Sequence, residues 1–435
     1  LGMIPTVHAE RALNFIWKHF QVFLQKILLS IKFFLRNELI NHAGASAFFF
    51  LLSITPVFLL ILISFDRYLT SYPDVSDYFF VFLKTLNENF DKDLLVKIGL
   101  MNVNTTALGI FGLLSLIWAA SWIVTGIQRG LGAIFPSEKI RAPIVTYIFS
   151  ILILSALLLA TILFTFISIG LKFLQTLLGN YGVIHTLYQS LLPLLRNIFP
   201  FLATFVMIFL VYRFVPLKKP KTVPSLVGAV LCSLCVIWLH LLFLKFFSVA
   251  QFNVIYGVLA TLILMLLWVH FAFILFFFFA EYTFVSDKID ILVLERMYLF
   301  QLNQNIKGKW IEKFLFSHPK RIFEKYAIAY KSGEMLFREG EKSSDIYFIY
   351  QGNIGIYRKM DGTEKKIATI RAGEILGEMA YLLKEHRTAT AIVESESILL
   401  SITPDDFEEL LLSNRSVSRE VIQLLSSRLR KMHLL

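Results

Sequence analysis

"VIYGVLATLILMLLWVHFAFILFFFFAEYTFV", residues 254–285, contains no Lys or Arg, and Glu281 near its end is its only acid. A helix needs roughly 20 apolar residues to cross a bilayer, and this run exceeds that. Working outward, five further stretches pass the same test, at about 43–65, 105–126, 143–170, 197–215 and 223–248; with 256–282 they make six expected spans. Composition agrees: 57% of the 435 residues are hydrophobic and 43 are Phe, whereas soluble domains run at about 45–50% apolar residues.

The connecting charges orient these spans, because Lys and Arg collect on the cytoplasmic side. Lys18, Lys26, Lys32 and Arg36 precede the first span, Arg129, Lys139 and Arg141 follow the second, and Arg213, Lys218, Lys219 and Lys221 follow the fourth. The first connection carries Asp66, Asp74, Asp77, Glu88, Asp91 and Asp93 against Arg67, Lys84, Lys92 and Lys97, the third has only Lys172 and Arg196 near its ends, and "SVAQFN" in the fifth has no charge. Six spans with both termini in the cytoplasm fit this pattern. The net charge of +11 belongs almost wholly to the apolar part: from residue 310 onward 19 basic residues face 18 acidic ones, against 23 and 13 before. That distribution suits loops beside anionic lipid. It argues against a nucleic-acid partner, whose phosphates call for a basic stripe on a soluble face.

Residues 11–36, "RALNFIWKHFQVFLQKILLSIKFFLR", read differently. Phe15, Ile16, Phe20, Phe23, Leu24, Ile27, Leu28, Ile31, Phe34 and Leu35 recur at helical three-four spacing, opposite a polar stripe of Asn14, Lys18, Gln21, Gln25 and Lys32. An amphipathic helix lying along the inner leaflet is expected. The competing idea, a cleaved signal peptide, lacks its short apolar core and small-residue cleavage site.

"AGASAFFFLLSITPVFLL" (43–60), "YRFVP" (212–216) and the 254–285 stretch, with its Tyr-Gly, Leu-Trp and terminal Ala-Glu, resemble the first, fourth and sixth helices of the YihY/BrkB family of bacterial inner-membrane proteins. The resemblance covers about residues 12–285 and implies a six-helix fold in the inner membrane. An old label of that family, ribonuclease BN, can be weighed against the residues. A metal-dependent nuclease needs several converging carboxylates or His, and within the spans Glu281 is the only acid. No enzyme activity and no metal are therefore expected.

Polar groups inside a bilayer tend to face a bundle interior or a water path. His240, His270 and Glu281 could line such a path; the plainer reading is that lone His groups hydrogen-bond between helices. Cys232 and Cys235 have CxxC spacing but sit in an apolar helix, where they read as packing residues rather than a redox pair.

Past Glu281 the chain changes character. Residues 286–322 read as a helical connector, and from 323 short strands alternate with Gly at 333, 340, 352, 362 and 373. "MDGT" is a hairpin signal, and the pattern points to a small β-barrel or jelly roll, followed by helices at about 404–412 and 416–433. Within it, "GEILGEMAYLLKEHRTATA", residues 373–391, resembles the phosphate-binding cassette of cyclic-nucleotide-binding domains. The likeness extends over about 320–433 and includes "GEMLFREG" and "IYQG". Gly377, Glu378 and Ala380 match Gly-Glu-x-Ala, Met379 fills the variable place, and Arg387 follows nine positions after Glu378. In such a cassette Gly377 lets the backbone approach the ligand, and the following helix start donates N–H groups to phosphate. Glu378 accepts from a ribose hydroxyl, Arg387 balances the cyclic phosphate with a fork of donors, and the Thr388 hydroxyl can bond phosphate or a guanine amino group. The plainer reading is an empty, rigid barrel.

The sequence thus leads to an α-helical membrane protein with six transmembrane helices and a cytoplasmic α+β domain, divided as an interfacial helix (1–36), a membrane domain (37–285), a connector (286–322) and a cyclic-nucleotide-binding domain (323–435). The expected function is a transporter or lipid-handling module in the bacterial inner membrane, gated by a cyclic nucleotide, with cAMP favoured over cGMP. The alternative is a receptor or scaffold without transport. Lipid bilayer and cyclic nucleotide are the expected partners, and a homo-oligomer stays open.

Overall fold

The computed structural model describes residues 4–53, 105–137, 148, 198, 201–246, 258–302, 314–316, 319–360, 363–413 and scattered positions from 418 to 430. It divides into two compact units, Ser30–Asp287 and Leu1–Leu29 together with Lys288–Leu435. The expected span at 143–170 lies outside the described residues apart from 148, as do residues 54–65 of the first span and the whole first and third connections. Most of the expected helix at 416–433 lies outside them too.

In the unit Ser30–Asp287, Thr222–Lys245 and Ile263–Asp287 are, among the described residues, long and apolar enough to cross a membrane, while Leu39–Ser53 and Phe201–Phe214 are shorter apolar helices. The stretch expected to span at 105–126 lies within the helix Thr105–Ile134. The helix Val258–Asp287 packs against both Thr222–Phe246 and Thr105–Ile134. Small residues permit these approaches: a Cβ on Gly130 would overlap the Phe277 ring, and one on Gly228 would overlap the Thr283 hydroxyl. Close backbone approach at small residues is how helices associate where lipid offers no hydrophobic drive. Tyr212, fully buried, donates its hydroxyl to the Phe276 carbonyl at 2.6 Å, and Arg213 Nη1 donates to the Pro220 carbonyl at 2.9 Å, closing the basic turn after the helix. Trp118, Trp238 and Leu244 are exposed, an arrangement suited to an apolar solvent. Both thiols, Cys232 and Cys235, are free.

In the other unit, eight strands form two four-stranded antiparallel sheets, in the orders β1-β8-β3-β6 and β2-β7-β4-β5. The strands are β1 (Ala327–Tyr330), β2 (Met335–Phe337), β3 (Ile346–Gln351), β4 (Asn353–Met360), β5 (Thr363–Arg371), β6 (Ile375–Leu376), β7 (Thr390–Val393) and β8 (Ser397–Ile402). The hairpin expected at "MDGT" is present, since β4 and β5 pair down to Met360 opposite Thr363. Alternate residues of both sheets meet in one core of Phe337, Ile349, Ile354, Ile370, Leu376, Ala391, Val393 and Leu399, as period-two side-chain alternation requires.

Among the described residues three longer helices pack together beside these sheets. Ile289–Leu302 packs against Pro404–Ser413 and against Lys320–Tyr326. Polar contacts fix them: Lys288 pairs with Glu409 at 2.7 Å, Tyr326 donates to Asp406 at 3.1 Å, and Asp290 receives Arg321 at 2.6 Å and Lys325 at 2.9 Å. Burial alone would raise the Asp290 carboxyl, but the hydrogen bonds from Arg321 and Lys325 outweigh it and hold the group below its ordinary value.

The first helix runs Ile4–Arg36, longer at its start than the periodicity predicts. Its polar stripe also departs from expectation. Gln21 and Gln25 do not face water; both are buried and donate to the Leu315 carbonyl, at 3.2 and 2.8 Å. A polar stripe marks hydrogen-bonding capacity, and a backbone carbonyl satisfies it as well as solvent does.

Candidate functional site

Leu376 ends β6, and the chain then has to turn at once into the six-residue helix Glu378–Leu383. Gly377 makes that turn as the helix N-cap with φ +89°, a left-handed conformation that disfavours any side chain. Space requires glycine as well: a Cβ there would stand 2.5 Å from Arg387 Nη1 and 2.7 Å from the Asp345 carbonyl oxygen. Glu378 and Ala380 are buried, and Met379 is half-buried.

Arg387 lies between this helix and β7, with its backbone tied on both sides: its N–H donates to the Glu341 carbonyl at 3.0 Å, and its carbonyl accepts from Gly340 N–H at 2.8 Å. The side chain is 2% exposed. Nη1 donates to the Gly377 carbonyl at 3.1 Å, and Nη2 donates to the Ser343 hydroxyl at 2.9 Å and the Asp345 carbonyl at 2.7 Å. The guanidinium sits 4.1 Å above the centre of the Phe337 ring, a favourable cation–π placement. Its Nε–H has no acceptor among the described residues. Burial pulls the guanidinium below its ordinary pKa, offset by Tyr347, Asp345, Glu341 and Glu378 around it.

A cavity of about 150 Å³ opens beside this group. Gly377, Glu378, Met379, Ala380, Arg387 and Thr388 line it, so the structure brings all six sequence-expected residues to one site. Its remaining wall is mostly apolar, from Phe337, Ile356, Ile367, Ile370 and Leu376, with Arg358 added. A buried cation at one end of an apolar cavity suits an anion carrying a flat apolar portion. Sequence reasoning missed Phe337, Ser343 and Asp345. Phe337 stands within the "GEMLFREG" motif and was open to notice; the Asp345 contact is made by a carbonyl, which every residue type carries.

The membrane residues do not gather in the same way. His240 is exposed and meets Trp268 edge-on, with ring centres 6.1 Å apart. His270 lies 3.7 Å from where a Gly44 Cβ would be. Glu281 is fully buried and accepts from Asn37 Nδ2 at 3.1 Å. His270 and Glu281 share one helix but are separated by about three turns. Among the described residues no group of His, Cys, Asp and Glu could hold a metal ion.

Comparison with known proteins gives two family matches. A family model described as virulence factor BrkB matches residues 30–291, and one described as cyclic nucleotide-binding domain matches residues 327–414. The cyclic AMP receptor protein of Thermus thermophilus is 28% identical over 103 residues, which is 23% of this chain and 48% of that protein. The cGMP-dependent protein kinase, isozyme 1, of Drosophila melanogaster is 29% identical over 86 residues, 19% of this chain and 11% of that one. This chain thus spans about half, or far less, of the length of the curated relatives it matches. Among solved structures, the Thermus thermophilus catabolite activator protein is 23% identical with a TM-score of 0.26, over 31% of this chain and 60% of that one.

Proposed function

The chain belongs to the virulence factor BrkB family and carries a cyclic nucleotide-binding domain, and from that premise we propose that it is an inner-membrane protein whose membrane helices are regulated by a cyclic nucleotide bound at Arg387. The observation that carries this reading is the buried guanidinium with an unpartnered Nε–H, set beside an apolar cavity at the turn made by Gly377. The cyclic phosphate takes Nε–H and competes with the protein carbonyls for the Nη donors. Glu378 accepts from the ribose hydroxyl, and the apolar wall receives the base. cAMP is favoured over cGMP, with Thr388 as the residue that would favour a guanine.

A route for the signal exists within the cytoplasmic unit. Tyr381, on the short helix after Gly377, donates to Glu408 at 3.2 Å and stacks edge-on against Phe407, with ring centres 5.8 Å apart. The neighbouring Glu409 pairs with Lys288, which directly follows the last membrane helix in sequence. Ligand-driven repositioning of the short helix therefore reaches the connector through Pro404–Ser413, a two-state repacking. The proposed topology of six spans with both termini in the cytoplasm supports this reading, because cyclic nucleotides are made on that side.

For the membrane helices the proposal is transport or lipid handling without enzymatic chemistry. Because His270 and Glu281 lie about three turns apart on one helix, a sensing receptor without a substrate path is the second reading. Flux or lipid movement in vesicles reconstituted with the full chain, with and without cAMP, separates the two. For the nucleotide site itself, the test is calorimetric titration of cAMP and cGMP into the full chain in lipid nanodiscs. Absence of heat and of a thermal shift with both nucleotides at saturating concentration removes the regulatory reading.

A further inference from the structure

The first helix is inside out for a helix in water. Gln21 and Gln25, one turn apart, are 6% and 2% exposed and share the Leu315 carbonyl, while Trp17 packs edge-on to Phe314 at 5.9 Å. On its other side Phe20, Phe23, Ile31 and Leu35 are 49%, 48%, 48% and 59% exposed. With half-buried Ile27 between them, these positions follow three- and four-residue steps and form one continuous apolar stripe. The polar side is bonded to protein and the apolar side is bare.

We propose that this helix is a strap whose apolar stripe dips into the acyl boundary of an anionic leaflet, while its glutamine side holds residues 314–316 of the cytoplasmic unit against it. Charge identifies the occupant. Residues 11–36 carry Arg11, Lys18, Lys26, Lys32 and Arg36 and no acid, the composition that binds helices to anionic headgroups. The same charges oppose a second copy, since pairing stripe to stripe would bring two strongly basic helices together. The inference rests on the membrane assignment of the family and is independent of nucleotide binding, which the titration above tests separately.

The test uses the full chain with Cys232→Ala and Cys235→Ala, carrying a nitroxide at Phe23→Cys or Ile31→Cys, in nanodiscs of phosphatidylglycerol and phosphatidylethanolamine. Lys365→Cys, exposed on β5, is the water reference. Collisions with oxygen are expected to exceed those with a water-soluble nickel chelate several-fold at both strap positions, and to fall below them at 365. Nickel collisions dominating at 23 and 31 would place the stripe in water and overturn the proposal. Dipolar broadening between labels at those positions would give the stripe to a second copy and overturn it equally. Should a labelled variant fail to fold, Phe23→Trp reads the same face by its excess quenching by brominated acyl chains over the parent, whose six Trp set the baseline; no excess overturns the proposal.

Discussion

Replacing Arg387 separates two jobs of one side chain, the packing that the structure shows and the phosphate binding that is proposed for it. Without ligand, its Nη groups satisfy the Gly377 and Asp345 carbonyls and the Ser343 hydroxyl, and the guanidinium covers Phe337. Stranding a buried acceptor costs about 1–3 kcal/mol, and losing the cation–π contact about 0.5–2 kcal/mol. Removing the cost of burying a charge returns part of this, so Arg387→Ala should destabilise the ligand-free domain by about 1–3 kcal/mol. Binding is a separate loss. A hydrogen bond to a charged group contributes about 1.5–3 kcal/mol, which at about 1.4 kcal/mol per decade weakens cyclic-nucleotide affinity by roughly tenfold to more than a hundredfold. Arg387→Lys should recover part of the affinity but little of the stability, because one ammonium cannot reach three acceptors arranged around a planar fork. Thermal unfolding of the full chain without ligand reads the first effect, and calorimetric titration well below the melting temperature reads the second. A folded Arg387→Ala chain that binds cAMP as its parent does would refute the assignment of Arg387 to the phosphate, whatever its melting temperature.

Other outcomes are expected. Gly377→Ala forces a left-handed φ costing about 1–2 kcal/mol and drives a methyl group against Arg387 and the Asp345 carbonyl, so thermal midpoint and cAMP affinity should fall together; an unchanged midpoint would contradict the described turn. The folded-state pKa of Asp290 is depressed, so its ion pairs contribute fully above the unfolded carboxyl value and are lost as pH falls through the folded one, below about pH 4. Asp290→Asn should remove that acid limb from a stability profile measured against pH, and an identical profile would show that the pairs add nothing. Lys288→Glu should uncouple nucleotide binding from any change reported in the membrane helices while leaving affinity nearly unaltered, and adding Glu409→Lys should restore coupling; measured response without rescue would point to another route. Reporter fusions at residues 85 and 180 should read outside and one at 435 inside, and a cytoplasmic signal at 85 would reverse the inferred topology.

What the sequence made legible here is local. Gly333, Gly340, Gly352 and Gly373 were read as turn markers, and each adopts a positive φ, because a tight reversal needs that conformation wherever the strands go next. The pairing partners were not readable: β1 lies beside β8 through Ala327 opposite Leu400, and nothing in either segment names the other. The same division runs through the site. Six residues from 377 to 388 could be found by motif and spacing, since the turn at Gly377 and the side chains of Glu378 and Arg387 are types that the expected cassette calls for and the others stand beside them in sequence. The groups that hold Arg387 in place come from 337, 343 and 345, remote in sequence and brought near by the sheets.

The first helix shows the limit most sharply, because its pattern points the apolar stripe at the inner leaflet but does not tell that Gln21 and Gln25 donate to a backbone carbonyl instead of water. Alternation of apolar and polar faces fixes the helix and the angle between its stripes, but it leaves open which medium each stripe meets. For a helix on a soluble domain, burial of the apolar stripe and hydration of the glutamines is the expected solution. Here the glutamines are satisfied by a carbonyl of Leu315 and the apolar stripe is left outward, the face that the proposed strap turns to lipid. The pattern thus assigns the apolar face and leaves the partner of the polar one open, because a carbonyl and water satisfy a side-chain amide alike.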